Sequence, residues 1–176
     1  RKQFDIVYNE VKKSKNWSQI YENFRKSPSI KKIVIKKIKN FCKLKFTNRA
    51  KVLTQGPRIH ETKKSRFFSM HQEQIKSKEG LVFFIALHDV KKSEGGLMFV
   101  KKDLNYAIPH FRNEKEYRPE ITNSLTADEK KIIKSKFERK FLAGEAAILG
   151  KHILHETAKK TKGPPRWSII VRVGFN

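Results

Sequence analysis

The sequence has little cysteine, few acidic residues and no long apolar segment. Its 176 residues include one Cys, Cys42, which excludes an internal disulfide framework and any multi-cysteine zinc site and suits a reducing compartment. We therefore expect a cytoplasmic protein. The longest uninterrupted apolar run covers residues 81–87, far short of the ~20 residues that a membrane-spanning helix needs. No apolar segment follows Arg1 and Lys2, so the sequence shows neither a secretory signal nor a membrane span.

Basic residues dominate the composition. Lys and Arg number 41 against 17 Asp and Glu, a formal net charge of +24, and residues 1–50 carry half of it. Within them, apolar residues recur at helical spacing with lysines on the opposite side; the apolar set is Ile30, Ile33, Val34, Ile38, Phe41 and Leu44, and the lysines are Lys32, Lys36, Lys39 and Lys43. This lysine face either contacts a polyanion or is a solvated outer surface. We favour the solvated surface and expect no nucleic-acid partner.

The pattern changes from helices to strands at about residue 52. The helical part also contains a short stripe of Trp17, Ile20, Tyr21 and Phe24, which ends at Ser27 and Pro28. Strands are predicted at residues 66–73, 81–90, 97–100, 137–142, 146–149, 153–157 and 167–173. We expect 81–90 and 97–100, which flank a turn at 93–96, to pair as antiparallel strands.

Thr126 and Glu129 form a capping-box pattern that opens a short helix. Together these elements predict a single domain over residues 1–176. Its fold class is α+β, mainly β, with N-terminal helices (1–50) packed on a core (51–176) that closes into a sandwich or jelly roll.

A candidate metal site follows from the histidine spacing. His71 and Glu73 are two apart on a predicted strand, so both side chains leave the same face. A second histidine, from His152 or His155, would complete the two-His, one-carboxylate triad of non-heme Fe(II) oxygenases. The pattern alone also occurs as an ordinary surface pair.

The surrounding segments resemble the phytanoyl-CoA dioxygenase family of Fe(II)/2-oxoglutarate oxygenases. The resemblance spans roughly residues 52–173, and the matching segments are MHQE (70–73), VFFIALHDV (82–90), EGGL (94–97), GEAAIL (144–149), ILH (153–155) and PRWSIIVR (165–172). It implies a double-stranded β-helix (jelly roll) that binds Fe(II), 2-oxoglutarate and O₂ and releases succinate and CO₂. The implied metal ligands are His71, Glu73 and His155; relatives usually carry Asp where this chain has Glu73.

The resemblance also implies which residues contact the co-substrate. Arg166 takes the position that binds the far carboxylate of 2-oxoglutarate, a task suited to an always-charged, bidentate group. Arg172, on the same strand face, is the alternative, and spacing favours Arg166. The other implied cofactor-binding residues are Ser168, Thr157, Gln72 and Phe84, although Phe84 is as well explained as core. His152 is expected to lie beside the site or at the surface, and His60, His88 and His110 to be structural or exposed.

The predicted function is hydroxylation of a small metabolite. The expected mouth loops are residues 74–80, 104–124 and 159–165; their basic residues favour an anionic substrate, such as a phosphate-bearing thioester, and are Lys76, Lys78, Arg112, Lys115, Arg118, Lys159, Lys160 and Lys162. The alternatives are a noncatalytic cupin-like protein and a basic nucleic-acid-binding module. The sequence does not indicate the oligomeric state.

Overall fold

The computed structural model describes residues 5–9, 13, 17–45, 50–60, 69–73, 79–102, 104–113, 118–121 and 125–175. Residues 5–9 are helical, and the further α-helices are α1 (Trp17–Lys26), α2 (Lys36–Lys45), which continues directly from a π-helical segment (Ile30–Ile35), and α3 (Ala127–Lys134). The strands are β1 (Ala50–His60), β2 (Glu79–Ala86), β3 (Leu97–Val100), β4 (His110–Asn113), β5 (Arg118–Ile121), β6 (Lys136–Arg139), β7 (Ala146–Gly150), β8 (His155–Thr157) and β9 (Arg166–Phe175).

The N-terminal helices form a layer on the main sheet, as predicted. Ile30, Val34, Ile38 and Cys42 recur every four residues and are buried against Phe83, Ile85, Ile169, Val171 and Val173. Phe24 of α1 joins the same cluster, whereas the side chains of Trp17, Ile20, Tyr21 and Leu44 lie outside the described part of the structure. Pro28 stands at the first helical position, where it requires no hydrogen bond. The π-helical segment is a departure from the regular α-helix that the spacing predicted.

Cys42 lies inside this layer. Its side chain is fully buried, and burial raises the pKa of its thiol, since the charged thiolate is disfavoured away from water. The lysines Lys32, Lys36, Lys39 and Lys43 are exposed on the opposite side of this helical layer, which both interpretations of the lysine face predicted.

The main sheet is four-stranded and antiparallel, in the order β1-β9-β2-β7. It is covered on both faces, which explains the near-continuous apolar sequence of β2. Phe83 and Ile85 face the helices, while Val82, Phe84 and Ala86 face a second cluster that includes Leu97 and Phe99 of β3. The alternation along β9 therefore directs Arg166, Ser168 and Arg172 away from the helices and towards the second sheet.

The second sheet has three strands, in the order β6-β3-β8, and β4 and β5 form a separate pair. The predicted pairing of residues 81–90 with 97–100 is wrong, because β2 pairs with β7 and β9 while β3 pairs with β6 and β8. The turn at 93–96 is present, with Ser93 and Gly95 at φ of 65° and 82°. It carries the chain from one sheet to the other instead of closing a hairpin.

Several element predictions are confirmed with shifted bounds. Thr126 and Glu129 form the predicted capping box at the start of α3. The strand predicted at 137–142 is Lys136–Arg139, and that at 153–157 begins only at His155. The strand predicted at 66–73 is not confirmed: residues 66–68 lie outside the described part, and residues 69–73 form no strand, with only an isolated bridge from His71 to His155. The described residues thus form mostly antiparallel sheets with a few helices, and none of their helices is long and apolar enough to cross a membrane.

Candidate metal centre

Three residues predicted as metal ligands come together between the sheets. One donor atom from each of His71, Glu73 and His155 lies within 4.8 Å of the other two. The backbones of His71 and His155 exchange two hydrogen bonds, of 2.9 and 3.0 Å, and their ring centroids are 4.3 Å apart. Both histidines are buried. A short antiparallel bridge therefore fixes the two imidazoles next to each other.

Both imidazoles present the same nitrogen to the centre. Nδ1 of His71 lies 2.6 Å from the carbonyl oxygen of Ser69, and Nδ1 of His155 lies 3.1 Å from that of Ile153. A carbonyl oxygen only accepts, so Nδ1 carries the proton in each neutral ring and the lone pair is on Nε2. Metal-binding histidines are held in this way, with the second nitrogen donating to a neighbouring group.

The ionisation states also suit a cation. Burial, and then the proximity of His155, lowers the pKa of His71 to about 4, so this ring is neutral near neutral pH. Burial alone would raise the pKa of Glu73, but its interaction with the side chain of His155 and the positive charge of Arg172 outweigh it and lower the pKa to about 2. A neutral imidazole and an ionised carboxylate are the forms that bind metals.

The two oxygens of Glu73 have different neighbours. Oε1 lies 3.7 Å from Nε2 of His155. Oε2 accepts hydrogen bonds from Nε and Nη2 of Arg172, at 3.3 and 3.0 Å. Arg172, which the sequence left as an alternative carboxylate clamp, is thus paired with a candidate metal ligand.

Arg166 is also buried, on the face of β9 that points towards the second sheet. Burial lowers the pKa of its guanidinium to about 10, so it is still charged at neutral pH, and the group stacks over the ring of Phe84 with 5.1 Å from Cζ to the centroid. Within the described part of the chain, its Nε has no hydrogen-bond partner. A buried cation with an unsatisfied donor is unfavourable unless an anion joins it.

Ser168 and Thr157 are buried like Arg166. Ser168 follows Arg166 on the same face of β9, and Thr157 follows His155 on the same face of β8, whose intervening residue is less buried. Phe84 belongs to the apolar cluster between the sheets, which agrees with the core alternative, and its ring also contacts Arg166. The cofactor roles of these residues stay predictions.

Gln72 makes contacts that the sequence did not reveal. Its Oε1 accepts from the backbone of Ile108, and its Nε2 donates to the carbonyls of Tyr106 and His152, at 2.8, 3.0 and 2.8 Å. Its backbone N–H donates to Nε2 of His110 at 2.9 Å. These bonds favour a role in holding the ligand segment against two loops, while the predicted contact of Gln72 with a cofactor remains untested.

The structure describes only some of the basic residues of the expected mouth loops. Lys159 and Lys162 are exposed, but Lys160 is buried and its Nζ donates to the carbonyls of Lys162, Gly163 and Pro164. Lys160 therefore fastens the loop that leads to Arg166, which corrects its expected place among the residues facing a substrate. The other mouth residues, Lys76, Lys78, Lys115 and the side chains of Arg112 and Arg118, lie outside the described part.

Two of the remaining histidines, His88 and His110, hydrogen-bond to the backbone. His88 accepts from the backbone of Trp167 and His110 accepts from that of Gln72, as expected for structural residues. His152 precedes β8, and its Nδ1 is buried without a hydrogen-bond partner among the described residues. The side chain of His60 is not described.

Solved structures share this architecture. The non-heme alpha-ketoglutarate-dependent epimerase SnoN from nogalamycin biosynthesis matches with a TM-score of 0.66 and 14% identity, over 85% of this chain and 59% of its own. The related carbocyclase SnoK matches with a TM-score of 0.63 and 18% identity, over 86% and 60%. HygX from Streptomyces hygroscopicus, with iron bound, gives 0.60 and 11%, over 85% and 68%.

No family model and no curated protein matches the sequence. The chain spans about three fifths of the length of SnoN and SnoK. At these identities the likeness concerns architecture, and the chain therefore has the fold of non-heme, alpha-ketoglutarate-dependent enzymes.

Proposed function

We propose that the protein is an Fe(II)- and 2-oxoglutarate-dependent oxygenase of the phytanoyl-CoA dioxygenase type, built on a double-stranded β-helix. The observation that carries this proposal is the convergence of His71, Glu73 and His155, whose donor atoms lie within 4.8 Å of one another. Two imidazoles and one carboxylate are the donor set of non-heme Fe(II) oxygenases, and they leave positions open for other ligands. The shared fold with SnoN, SnoK and HygX supports the same function.

The residues present fit iron better than a purely structural cation. Nδ1 of each histidine donates to a backbone carbonyl, so Nε2 is the ring nitrogen whose lone pair could bind a metal. The single carboxylate and the lack of thiolates distinguish this donor set from calcium and structural zinc sites, which use several carboxylates or cysteines respectively.

Arg166 is the proposed partner of the co-substrate. A dicarboxylate would neutralise a buried guanidinium whose Nε is otherwise unsatisfied among the described residues. Phe84 beneath the guanidinium would hold its plane in place. Ser168 and Thr157, which are both buried, are proposed to bind the co-substrate through their hydroxyl groups.

Bound iron and 2-oxoglutarate would together supply the oxidation of a carbon–hydrogen bond by O₂, with succinate and CO₂ as by-products. The protein's own groups would hold the ligands in place and exclude water. The apolar cluster around Phe84, Leu97 and Phe141 closes the space between the two sheets. We propose hydroxylation as the outcome, while SnoN and SnoK are an epimerase and a carbocyclase.

We propose a small, anionic metabolite as the primary substrate. The net charge of +24 and the exposed Lys159 and Lys162 in the loop that precedes β9 favour negatively charged molecules through long-range attraction. A reducing compartment such as the cytoplasm suits both ferrous iron and the free Cys42, so this localisation stays our prediction.

An anaerobic titration tests the function. The full chain is titrated with Fe(II) and then 2-oxoglutarate, and we expect a weak metal-to-ligand absorption band, followed by slow formation of succinate when O₂ is admitted. His71→Ala and Arg166→Ala should abolish the band or weaken it strongly. Arg25→Ala, at an exposed position in α1, is the matched control and should behave as the parent chain.

Two results would contradict the proposal in different ways. A folded parent chain that shows no band would have no iron and 2-oxoglutarate site. A normal band without succinate would favour a noncatalytic cupin-like protein.

A further inference from the structure

A pair of charge-assisted hydrogen bonds at the centre joins Glu73 to a residue that the proposed chemistry does not use. Arg172 lies on β9, 99 positions along the chain from Glu73, and both its Nε and its Nη2 donate to Oε2. The side chain of Glu73 is 10% exposed and that of Arg172 is 31% exposed. The pair is thus buried on the Glu73 side and reaches solvent on the Arg172 side.

This contact makes the two carboxylate oxygens unequal. Oε2 is occupied by the guanidinium, and Oε1 faces Nε2 of His155 at 3.7 Å. A free glutamate side chain has three torsions, and the last one rotates easily because it joins tetrahedral and planar carbons. The guanidinium removes most of that freedom.

We propose that Arg172 is a positioning residue that holds Glu73 so that Oε1 alone is offered to the metal. This inference rests on the proposed function, because it concerns the same metal centre. It also gives a reason why glutamate is tolerated where relatives of the resembled family usually carry aspartate. The extra methylene adds a torsion, and the fixed guanidinium restrains it.

The two arginines of β9 therefore have separate tasks. The backbones of residues that are six apart on a strand are separated by about 20 Å. Arg166 and Arg172 are therefore too far apart to bind the same small anion. Arg172 is already paired with Glu73. Arg166 stacks on Phe84 and keeps an unsatisfied Nε among the described residues, so it is the arginine left for an external anion.

Cobalt binding tests the inference without relying on turnover. The metal-free full chain is titrated with Co(II), and the visible d–d absorption reports both affinity and the arrangement of the ligands. Arg172→Gln should weaken Co(II) binding about 10- to 100-fold, the usual effect of losing a group that orients a ligand, and should change the band because both oxygens become available. Arg172→Lys keeps the charge but loses the planar fork, so it should recover part of the affinity.

The controls separate the possible failures. Arg25→Gln removes one positive charge from an exposed helical position and should leave affinity and band unchanged. Thermal unfolding shows whether each variant folds. If Arg172→Gln does not fold, the Co(II) affinity and absorption band of Arg172→Lys test the inference instead. Parental affinity and an unchanged band in Arg172→Gln would overturn the inference while leaving the proposed function intact. A folded parent chain that binds no Co(II) would overturn both.

Discussion

The ionisation of His71 and Glu73 makes the stability of the metal-free protein depend on pH. The pKa of His71 is lowered from 6.5 to about 4, so between these values the unfolded chain binds a proton here that the folded chain does not. The pKa of Glu73 is lowered from 4.5 to about 2, so its stabilising effect is lost as the pH falls from 4.5 towards 2. Both groups therefore make the fold less stable in acid.

A measurable consequence follows for His71. In the presence of a chelator, the free energy of unfolding should fall between about pH 7 and about pH 4.5, with His71 contributing on the order of 2 kcal/mol. His71→Asn removes this titration and should give a flatter pH profile. Urea unfolding at several pH values measures the difference, and parallel profiles for the two proteins would contradict the assignment.

The roles of individual residues could be predicted where the sequence contains a recognisable spacing or motif. The resemblance implied His71, Glu73 and His155 as a group, and their donor atoms lie close together, whereas His152 lies before the start of β8. The pairing of Arg172 with Glu73 had no local signal, because it depends on how β9 is aligned beside β2 and on the path of residues 69–73. Gln72 likewise gave no indication of its three backbone partners.

At the scale of elements, the centre depends on connections between loops. Gln72 joins the ligand segment to Tyr106 and Ile108 on one side and to His152 on the other. Lys160 fastens the loop before β9 through three carbonyls. Both side chains replace backbone pairing in segments that belong to no strand.

Replacing Gln72 should therefore affect stability. Gln72→Leu removes three buried hydrogen bonds and leaves backbone groups unsatisfied, which should cost roughly 3 kcal/mol. Gln72→Glu keeps the side-chain length and the acceptor but loses both donors, so it should also lower the free energy of unfolding. Urea unfolding of the metal-free proteins provides the measurement. A co-substrate contact would predict the opposite result, namely unchanged stability with weaker binding of 2-oxoglutarate.

Elements were easier to predict than their partners. The capping box at Thr126 and the amphipathic helix predicted over residues 30–44 are local patterns; the capping box is present, and the helix is π-helical over Ile30–Ile35 and α-helical over Lys36–Lys45. The partners of β2 were predicted wrongly, because proximity in sequence suggested β3. Its real neighbours, β7 and β9, come from distant parts of the chain. Such long-range pairings cannot be predicted from the local pattern of a single sequence.

For the molecule as a whole, the main sheet separates the charge-rich helices from the candidate centre. The helices cover the face of Phe83 and Ile85, while Arg166 and Arg172 leave β9 on the opposite face. Charges more than about 10 Å apart are largely screened at ordinary ionic strength. The lysine face should therefore have little influence on metal binding.

A combined substitution tests this separation. Changing Lys32, Lys36, Lys39 and Lys43 together to Gln should leave Co(II) affinity within about twofold of the parent chain. The same variant should leave a heparin column at lower salt, because fewer cations remain to replace counterions on the polyanion. A large loss of metal affinity with intact folding would show that the two faces are coupled.

The position of Cys42 provides the chain with an internal reporter. Its thiol is the only one in the sequence, and it is fully buried between the helical layer and the main sheet. A thiol reagent can reach it only when that layer opens, so the rate of alkylation in native buffer measures how often the helices separate from the sheet. Comparing that rate with and without bound metal would show whether the helical layer responds to events on the far side of the sheet.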